Sequence, residues 1–316
     1  MTATSRQVAL STSRACASLV LLFVLAASAV LSTAVSGADV SESALLAEAG
    51  PPVYYAYHDY AQVKADLYAV QGQHSDIVKV YDVGDSWEKV NGTYDRDMLA
   101  VKISDNVAVD EDEPEVLILG LHHGGEWPGM EVALSYIENV TDDYGNDTRV
   151  SWLVDNRETW VIPVVNPDGL DYAMHVSETW RKNRHWYYDE VTLETIAYGV
   201  DLNRNYDGSQ NGDPDGEWGG AGTSDDPLSY NYCGEYAFSE PETQAVRDLV
   251  NSHDFQIAID FHTSGDLVMW PWNYDYDLAP DDADLVRIGQ EMAALNGYTP
   301  EQGVVLYATT GDSTDW

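Results

Sequence analysis

Cysteine and lysine are nearly missing from this chain, and each shortage rules something out. Of the two cysteines, Cys16 lies in an N-terminal apolar stretch and Cys233 stands alone in the remainder, so the mature chain can form no intramolecular disulfide. Stability must come from a buried core instead. Basic side chains number 15 against 54 acidic ones, for a formal net charge of -39. That excess repels phosphates and anionic lipid headgroups alike, which argues against nucleic acid as a partner, and the only basic cluster is WRKNRH, Trp180 to His185. The lysines are Lys64, Lys79, Lys89, Lys102 and Lys182. A surface so poor in lysine and rich in aspartate stays hydrated at high salt, where self-repulsion among carboxylates is screened, and a halophilic protein is expected.

What is present begins with Arg6 and Arg14, followed by the apolar run ACASLVLLFVLAASAVLSTAV and then small residues. This reads as a secretory signal peptide over residues 1–37, cleaved near Gly37 and Ala38. The run approaches the ~20 residues that cross a bilayer, so stable membrane association is expected only if it stays uncleaved. N-x-[ST] sequons at Asn91, Asn139 and Asn146 are compatible with export, and a secreted protein is expected. Residues 38–53 read as a short tether and 54–316 as one large domain, expected to be monomeric.

Along the domain, an amphipathic helix is expected over residues 58–74, with strands over 77–83, 98–103, 116–121 and 158–165. Between the second and third of these strands runs the acidic loop DNVAVDEDEPE, read as a solvated connection with at most a weak cation site. A helix should follow Pro128, and SEPET should open another with Ser239 as N-cap and Glu242 as its capping-box partner. Residues 208–236 are a loop rich in Gly, Asp, Asn and Ser. No internal repeat is present. Near-continuous apolar strands alternating with helices indicate an α/β domain whose mixed central sheet is flanked by helices.

The strand EVLILGL ends in HHGGEW, which delivers His123 and Glu126 in an H-x-x-E spacing on a glycine-loosened turn. An imidazole nitrogen and a carboxylate so placed can converge on one borderline-soft cation such as Zn²⁺. A third ligand is available in QIAIDFHTSG, where a second strand brings His262 to its C-terminal end. Two histidines and one glutamate leave a fourth position open, as in catalytic zinc sites. H-x-x-E alone is a short motif, however, and a strand-end histidine is often only a hydrogen-bonded surface residue.

The ordered series HGGEW, NPDG, WRKNR, GVDLNRNYD, FSEPET, IDFHTSG and YATTGDSTDW resembles the zinc carboxypeptidases of the pancreatic A/B type over about residues 54–316. The resemblance implies one Zn²⁺ per chain, held by His123, Glu126 and His262. The H-x-x-E-W register selects His123 over His122, which strand alternation should turn to the opposite face. Asp201 matches an aspartate that hydrogen-bonds the first zinc histidine. Asn203 and Arg204 match the pair that holds a substrate's terminal carboxylate, a task suited to the planar guanidinium fork. Tyr307 matches the mobile cap over that carboxylate, and Arg181 the arginine that stabilises the oxyanion beside the metal. Arg184, Lys182 and His185 receive no role beyond surface or substrate rim.

The implied activity is hydrolysis of the C-terminal bond of peptide or protein substrates. Thr314 stands where the family carries an aliphatic residue or an aspartate, which suggests neutral C-terminal residues, and Asn273, Ser264 and Gln302 are expected to line the same pocket. The family's general base is a glutamate on a strand about a dozen residues beyond the DSTDW motif, and therefore beyond Trp316, where this sequence stops. Glu240, Glu291 and Glu301 do not match it. The chain is expected to be a fragment that lacks that glutamate, the last strand and the C-terminal helix. The alternatives are a catalytically silent zinc- and peptide-binding homologue or an amidase acting on cell-wall peptides.

Overall fold

The computed structural model describes residues 57–188, 191–192, 194–208 and 212–316. The expected signal peptide, the tether and the first residues of the domain lie outside this range. Helix α1 (Tyr60–Gln73) starts where Asp59 accepts from the Gln62 amide and the Gln62 side chain accepts in return from the Asp59 amide, a complete capping box. Its buried residues are Val63 and Leu67. There follow β1 (Val78–Asp85), the single turn α2 (Trp87–Val90), β2 (Asp97–Ile103) and β3 (Glu115–Gly120). Then come α3 (Trp127–Asp143), α4 (Thr148–Val154), β4 (Glu158–Ile162) and α5 (Pro167–His175). The hairpin β5 (Trp186–Tyr188) and β6 (Thr195–Tyr198) precedes α6 (Pro241–Ser252), β7 (Phe255–Phe261), β8 (Leu267–Trp270), α7 (Asp282–Asn296) and β9 (Thr299–Gln302).

The central sheet has the order β1-β2-β4-β3-β7, with β1-β2 and β2-β4 antiparallel and β4-β3 and β3-β7 parallel. It is the mixed sheet that the apolar strand runs predict. Alternate residues of each strand feed two cores, one on each face. Val101, Ile118 and Val161 pack with Met130, Ile137 and Leu170, whereas Ala100, Leu117, Leu119 and Trp160 pack with Leu202, Tyr206 and Val246. Full burial of each large aliphatic side chain contributes about 1.5–3 kcal/mol, which fixes the strand register. That register places Gly120 opposite Phe261, so the chains leaving β3 and β7 emerge side by side at one edge of the sheet.

Two expectations need correction. Strand β4 stops at Ile162 rather than Val165, because Pro163 has no amide to donate to the ladder. Helix α6 is capped at Glu240, not Ser239, and has no side-chain cap bond. The Ser239 hydroxyl donates to Glu240, while Glu240 accepts from Asn183 and Glu242 accepts from Asn183 and the Trp87 amide. Both carboxylates are recruited into a buried network and are lost to the capping box.

Candidate metal centre and carboxylate pocket

His123 and His262 arrive on the two strand ends that the register aligns, and Glu126 comes from the turn that opens α3. The turn needs its glycines. A Cβ on Gly124 would stand 2.4 Å from the Gly169 carbonyl oxygen, and one on Gly125 would stand 2.3 Å from that of Glu178. Packing thus presses the HGGEW turn against α5 and the 178–180 segment. His123 Nδ1 lies 2.8 Å from Glu126 Oε1, His262 Nδ1 lies 2.9 Å from Glu126 Oε2, and the two Nδ1 atoms are 3.2 Å apart.

The outer nitrogens face carboxylates, with His123 Nε2 3.1 Å from Asp201 Oδ1 and His262 Nε2 3.1 Å from Asp260 Oδ2. A carboxylate can only accept, so each imidazole presents an N–H to its outer aspartate, and with a cation bound the inner Nδ1 would supply the lone pair. Two imidazole nitrogens and a carboxylate facing one point suit a small cation of the zinc type. Burial alone would raise Glu126, but its contacts to His123 and His262 outweigh burial and hold its carboxyl well below the usual range. Burial would lower His262, yet Asp260 and then Glu126 push it up to about 10.

Asp201 is fully buried and does three things at once. Oδ1 meets His123 and caps the Asn203 amide, and Oδ2 accepts from Arg181 Nε at 2.7 Å. Burial opposes its ionisation, but Arg181 and His123 overcome it and hold the carboxyl far below the ordinary aspartate value. Arg181 Nη1 stands 3.2 Å from His123 Nδ1 and 3.8 Å from Glu126 Oε1, so its guanidinium borders the point on which the metal ligands converge.

His122 does not turn away from the site. The strand ends at Gly120, and Leu121 has a φ of 55°, which breaks the alternation on which that expectation rests. His122 is completely buried, with Nδ1 3.0 Å from Asp260 Oδ2 and Nε2 2.7 Å from the Tyr206 hydroxyl, and its ring stacks 5.7 Å from that of His262. Its nitrogens are engaged by these partners, whereas His123 keeps one nitrogen facing Glu126. Sequence reasoning also missed Asp260, which meets both His122 and His262 and accepts from the Ser313 hydroxyl at 2.6 Å. The signal was available, because Asp260 near the end of β7 stands only two residues before His262, which leaves it.

Next to the metal ligands, Asn203 Nδ2 lies 3.2 Å from His262 Nε2 and its Oδ1 accepts from the Ser313 amide. Arg204 is 4% exposed, donates to its Asn203 and Gly222 carbonyl neighbours, and reaches the Tyr307 hydroxyl at 3.4 Å. Tyr307 itself is 53% exposed. Thr314 is half-buried, its amide donating to Asp312. Asn273 Oδ1 is buried and has no hydrogen-bond donor among the described residues. Gln302 spends its side-chain amide on the carbonyls of Asp275 and Asp277, and Ser264 is exposed.

Trp316 is a packing residue rather than part of the site. Its half-buried ring meets that of Phe238 edge-on at 5.1 Å and lies 5.6 Å from that of Tyr206, the partner of His122. The stretch that carries Ser313 and Thr314 past the metal ligands is thereby anchored on the core beneath β3 and β4. Of the glutamates weighed as a general base, Glu240 is committed to Asn183 and His185, whereas Glu291 pairs with Arg287 on the exposed face of α7 and Glu301 lies in β9. None of these three joins the group of His123, Glu126 and His262.

The rest of WRKNRH holds the fold rather than rimming a site. Lys182 donates to the Pro227 and Ser229 carbonyls, Arg184 stacks 3.8 Å from the Tyr172 ring centroid and 4.3 Å from that of Tyr198, and His185 pairs with Glu240.

The sequence matches the zinc carboxypeptidase family model over residues 63–316. The chain belongs to the zinc carboxypeptidase family. A zinc carboxypeptidase from Saccharothrix mutabilis subsp. capreolus is 33% identical over 280 residues, 84% of this chain and 60% of that relative. Bovine carboxypeptidase A1 is 27% identical, over 83% of this chain and 59% of its own length. Among solved structures, carboxypeptidase A from Helicoverpa armigera aligns with a TM-score of 0.71 at 26% identity, covering 82% of this chain and 61% of that one. Bovine thrombin-activatable fibrinolysis inhibitor, in complex with tick carboxypeptidase inhibitor, aligns with a TM-score of 0.69 at 27% identity, covering 82% and 81%. The mixed sheet is that of the zinc carboxypeptidases, and the chain spans about 60% of the length of the first two relatives.

Proposed function

We propose that this protein is a zinc metallocarboxypeptidase that hydrolyses the C-terminal bond of peptides, with His123, Glu126 and His262 holding one zinc ion per chain. The carrying observation is the convergence of the Nδ1 atoms of two imidazoles and both oxygens of Glu126, each imidazole being held from behind by an aspartate. When bound, zinc supplies the Lewis acidity that polarises a carbonyl and acidifies water.

The remaining work falls to the chain's own residues. Arg181, locked by Asp201, aims a fixed positive charge at the position where an oxyanion develops. Arg204 and Asn203 bind the substrate's terminal carboxylate, and the exposed Tyr307, already within reach of Arg204, covers it. Requiring a free carboxylate restricts cleavage to the last peptide bond. The preferred terminal side chain is neutral, supported by Thr314 and by the orphaned Asn273 Oδ1, an acceptor that a hydroxyl or amide side chain could satisfy.

The test compares hydrolysis of one peptide as its free acid and as its C-terminal amide, before and after chelation and zinc restoration. Loss of cleavage on chelation, recovery with zinc and no cleavage of the amide are expected. Chelator-insensitive hydrolysis, or equal rates on acid and amide, would sink the assignment.

On its sequence the protein is proposed to be exported, salt-adapted and monomeric, with one catalytic domain over residues 54–316. No helix among the described residues is long and apolar enough to cross a membrane.

A further inference from the structure

Residues 227–232, in the loop before α6, join the surroundings of Arg181 to those of Arg204, and hydrogen bonds fasten them along their length. Lys182 Nζ donates to the Pro227 and Ser229 carbonyls, each at 2.9 Å, and the Ser229 hydroxyl donates to Asn231 Oδ1 at 2.6 Å. Asn231 Nδ2 donates at 2.8 Å to the Gly222 carbonyl, which also accepts from Arg204 Nε. The Asn231 carbonyl accepts from the Ser224 amide, and the Tyr232 carbonyl accepts from the amide of Asp201, whose side chain locks Arg181. One end of the segment is thus held by the residue next to Arg181, and the other by Asp201 and the partner of Arg204.

Tyr230 stands in the middle of this segment. Tyr232, two residues on, is 4% exposed and packs edge-on against Tyr187. Tyr230 is 65% exposed, and its ring lies over the Arg181 guanidinium with its centroid 5.1 Å from Cζ. Such a cation–π contact occupies one face of the ring, and the rest of it stays open to solvent. Arg181 in turn stands 3.2 Å from His123 Nδ1. A large aromatic side chain that forgoes burial is therefore presented on tethered backbone, one guanidinium away from the metal ligands, as binding residues on loops of a rigid scaffold are.

We propose that Tyr230 is a specificity-determining residue, whose ring receives the side chain of the substrate's penultimate residue and favours peptides in which that residue is aromatic or apolar. The inference rests on the carboxypeptidase reading of the site. With the terminal carboxylate on Asn203 and Arg204, at the His262 side of the ligand group, the peptide passes the ligands towards Arg181 on the His123 side. The carbonyl on which Arg181 acts belongs to the penultimate residue, and that residue's side chain leaves from the Cα bonded to the same carbonyl carbon. The side chain is thereby brought to the ring that covers Arg181. An open π face meets an aromatic group by offset or edge-on stacking and an aliphatic one by apolar contact. Glycine at the penultimate position offers it neither.

The test measures Kd calorimetrically for the zinc-loaded protein and two peptides that share a terminal residue and differ only in phenylalanine or glycine before it. A ketomethylene group replaces the last peptide bond, so the carbonyl is kept and nothing is cleaved, and each peptide is used as free acid and as amide. The parent is expected to bind the phenylalanine acid about 3- to 10-fold more tightly than the glycine acid, the range that an aromatic pair contributes. Tyr230→Phe should keep that preference and Tyr230→Ala should lose it. A parent without the preference, or a Tyr230→Ala protein that retains it, overturns the proposal. So does an equal loss of affinity for both peptides in Tyr230→Ala, which would make the ring only a brace for Arg181. Equal affinity of the parent for acid and amide would overturn the carboxypeptidase reading itself and this proposal with it.

Discussion

Each imidazole of the candidate zinc site is oriented from behind by an aspartate before any metal arrives. His262 depends on Asp260, so Asp260→Asn should leave the fold in place but weaken zinc binding ~10- to 100-fold, read by competition with a chromophoric chelator. Unchanged zinc affinity would show that Asp260 serves only its neighbours His122 and Ser313. Arg181 should separate from Arg204 in kinetics. Arg181→Ala removes charge only from the transition state and should lower kcat by ~10²- to 10³-fold with little change in KM. Arg204→Ala removes ground-state binding of the terminal carboxylate and should appear mainly in KM. Equal effects of both substitutions on KM would place Arg181 in substrate binding instead.

Among elements, the HGGEW turn is the least tolerant. Gly124→Ala drives a methyl group into the Gly169 carbonyl of α5, and since backbone cannot step aside as a flexible side chain can, a loss of ~1–3 kcal/mol in stability is expected. Denaturant melts of the metal-free protein would measure it. The ends of β3 and β7 were legible because their apolar runs stop at histidines, and a register pinned by burial aligns those ends. His122 was not legible, since alternation holds only while a strand continues and Leu121 leaves it. The cap at Ser239 was misread because nothing local says that Glu240 and Glu242 are drawn to Asn183 and Trp87, far apart in sequence. Helix α7 went unassigned for a related reason. It buries only Gly289 and Ala293 and packs against the small β8-β9 pair, so it carries little of the apolar stripe by which a core-facing helix is read.

At the scale of the molecule, burial holds several of the described carboxyl groups above their ordinary values. Asp315, first by burial and then beside Asp312, is pushed up to about 8, burial and acidic neighbours also raise Glu242, Glu88 and Glu113, and burial raises Asp168. A folded-state value above the unfolded one means that the native protein binds more protons in between. The contribution from Asp315 is therefore full below about 3.8 and is lost as pH rises through about 8. Stability should fall from about pH 5 to pH 8 at constant salt, and Asp315→Asn should recover about 2–4 °C of Tm at pH 8, the shift that ~1 kcal/mol gives a domain of this size. A melting profile flat across that window would contradict the buried-acid assignment.

The net charge of -39, the placing of Arg181 beside His123 and the reach of Arg204 to Tyr307 have a kinetic consequence under the proposed function. A peptide whose end is an anion must cross a repulsive field to reach a small cationic opening. Dissolved salt thins that field faster than it weakens the short-range grip of the buried guanidinium. Capture of acidic peptides should accordingly quicken as sodium chloride is added, and that of basic peptides should slow. Brine would then act as a selectivity filter, deciding which chain ends the protein meets at all.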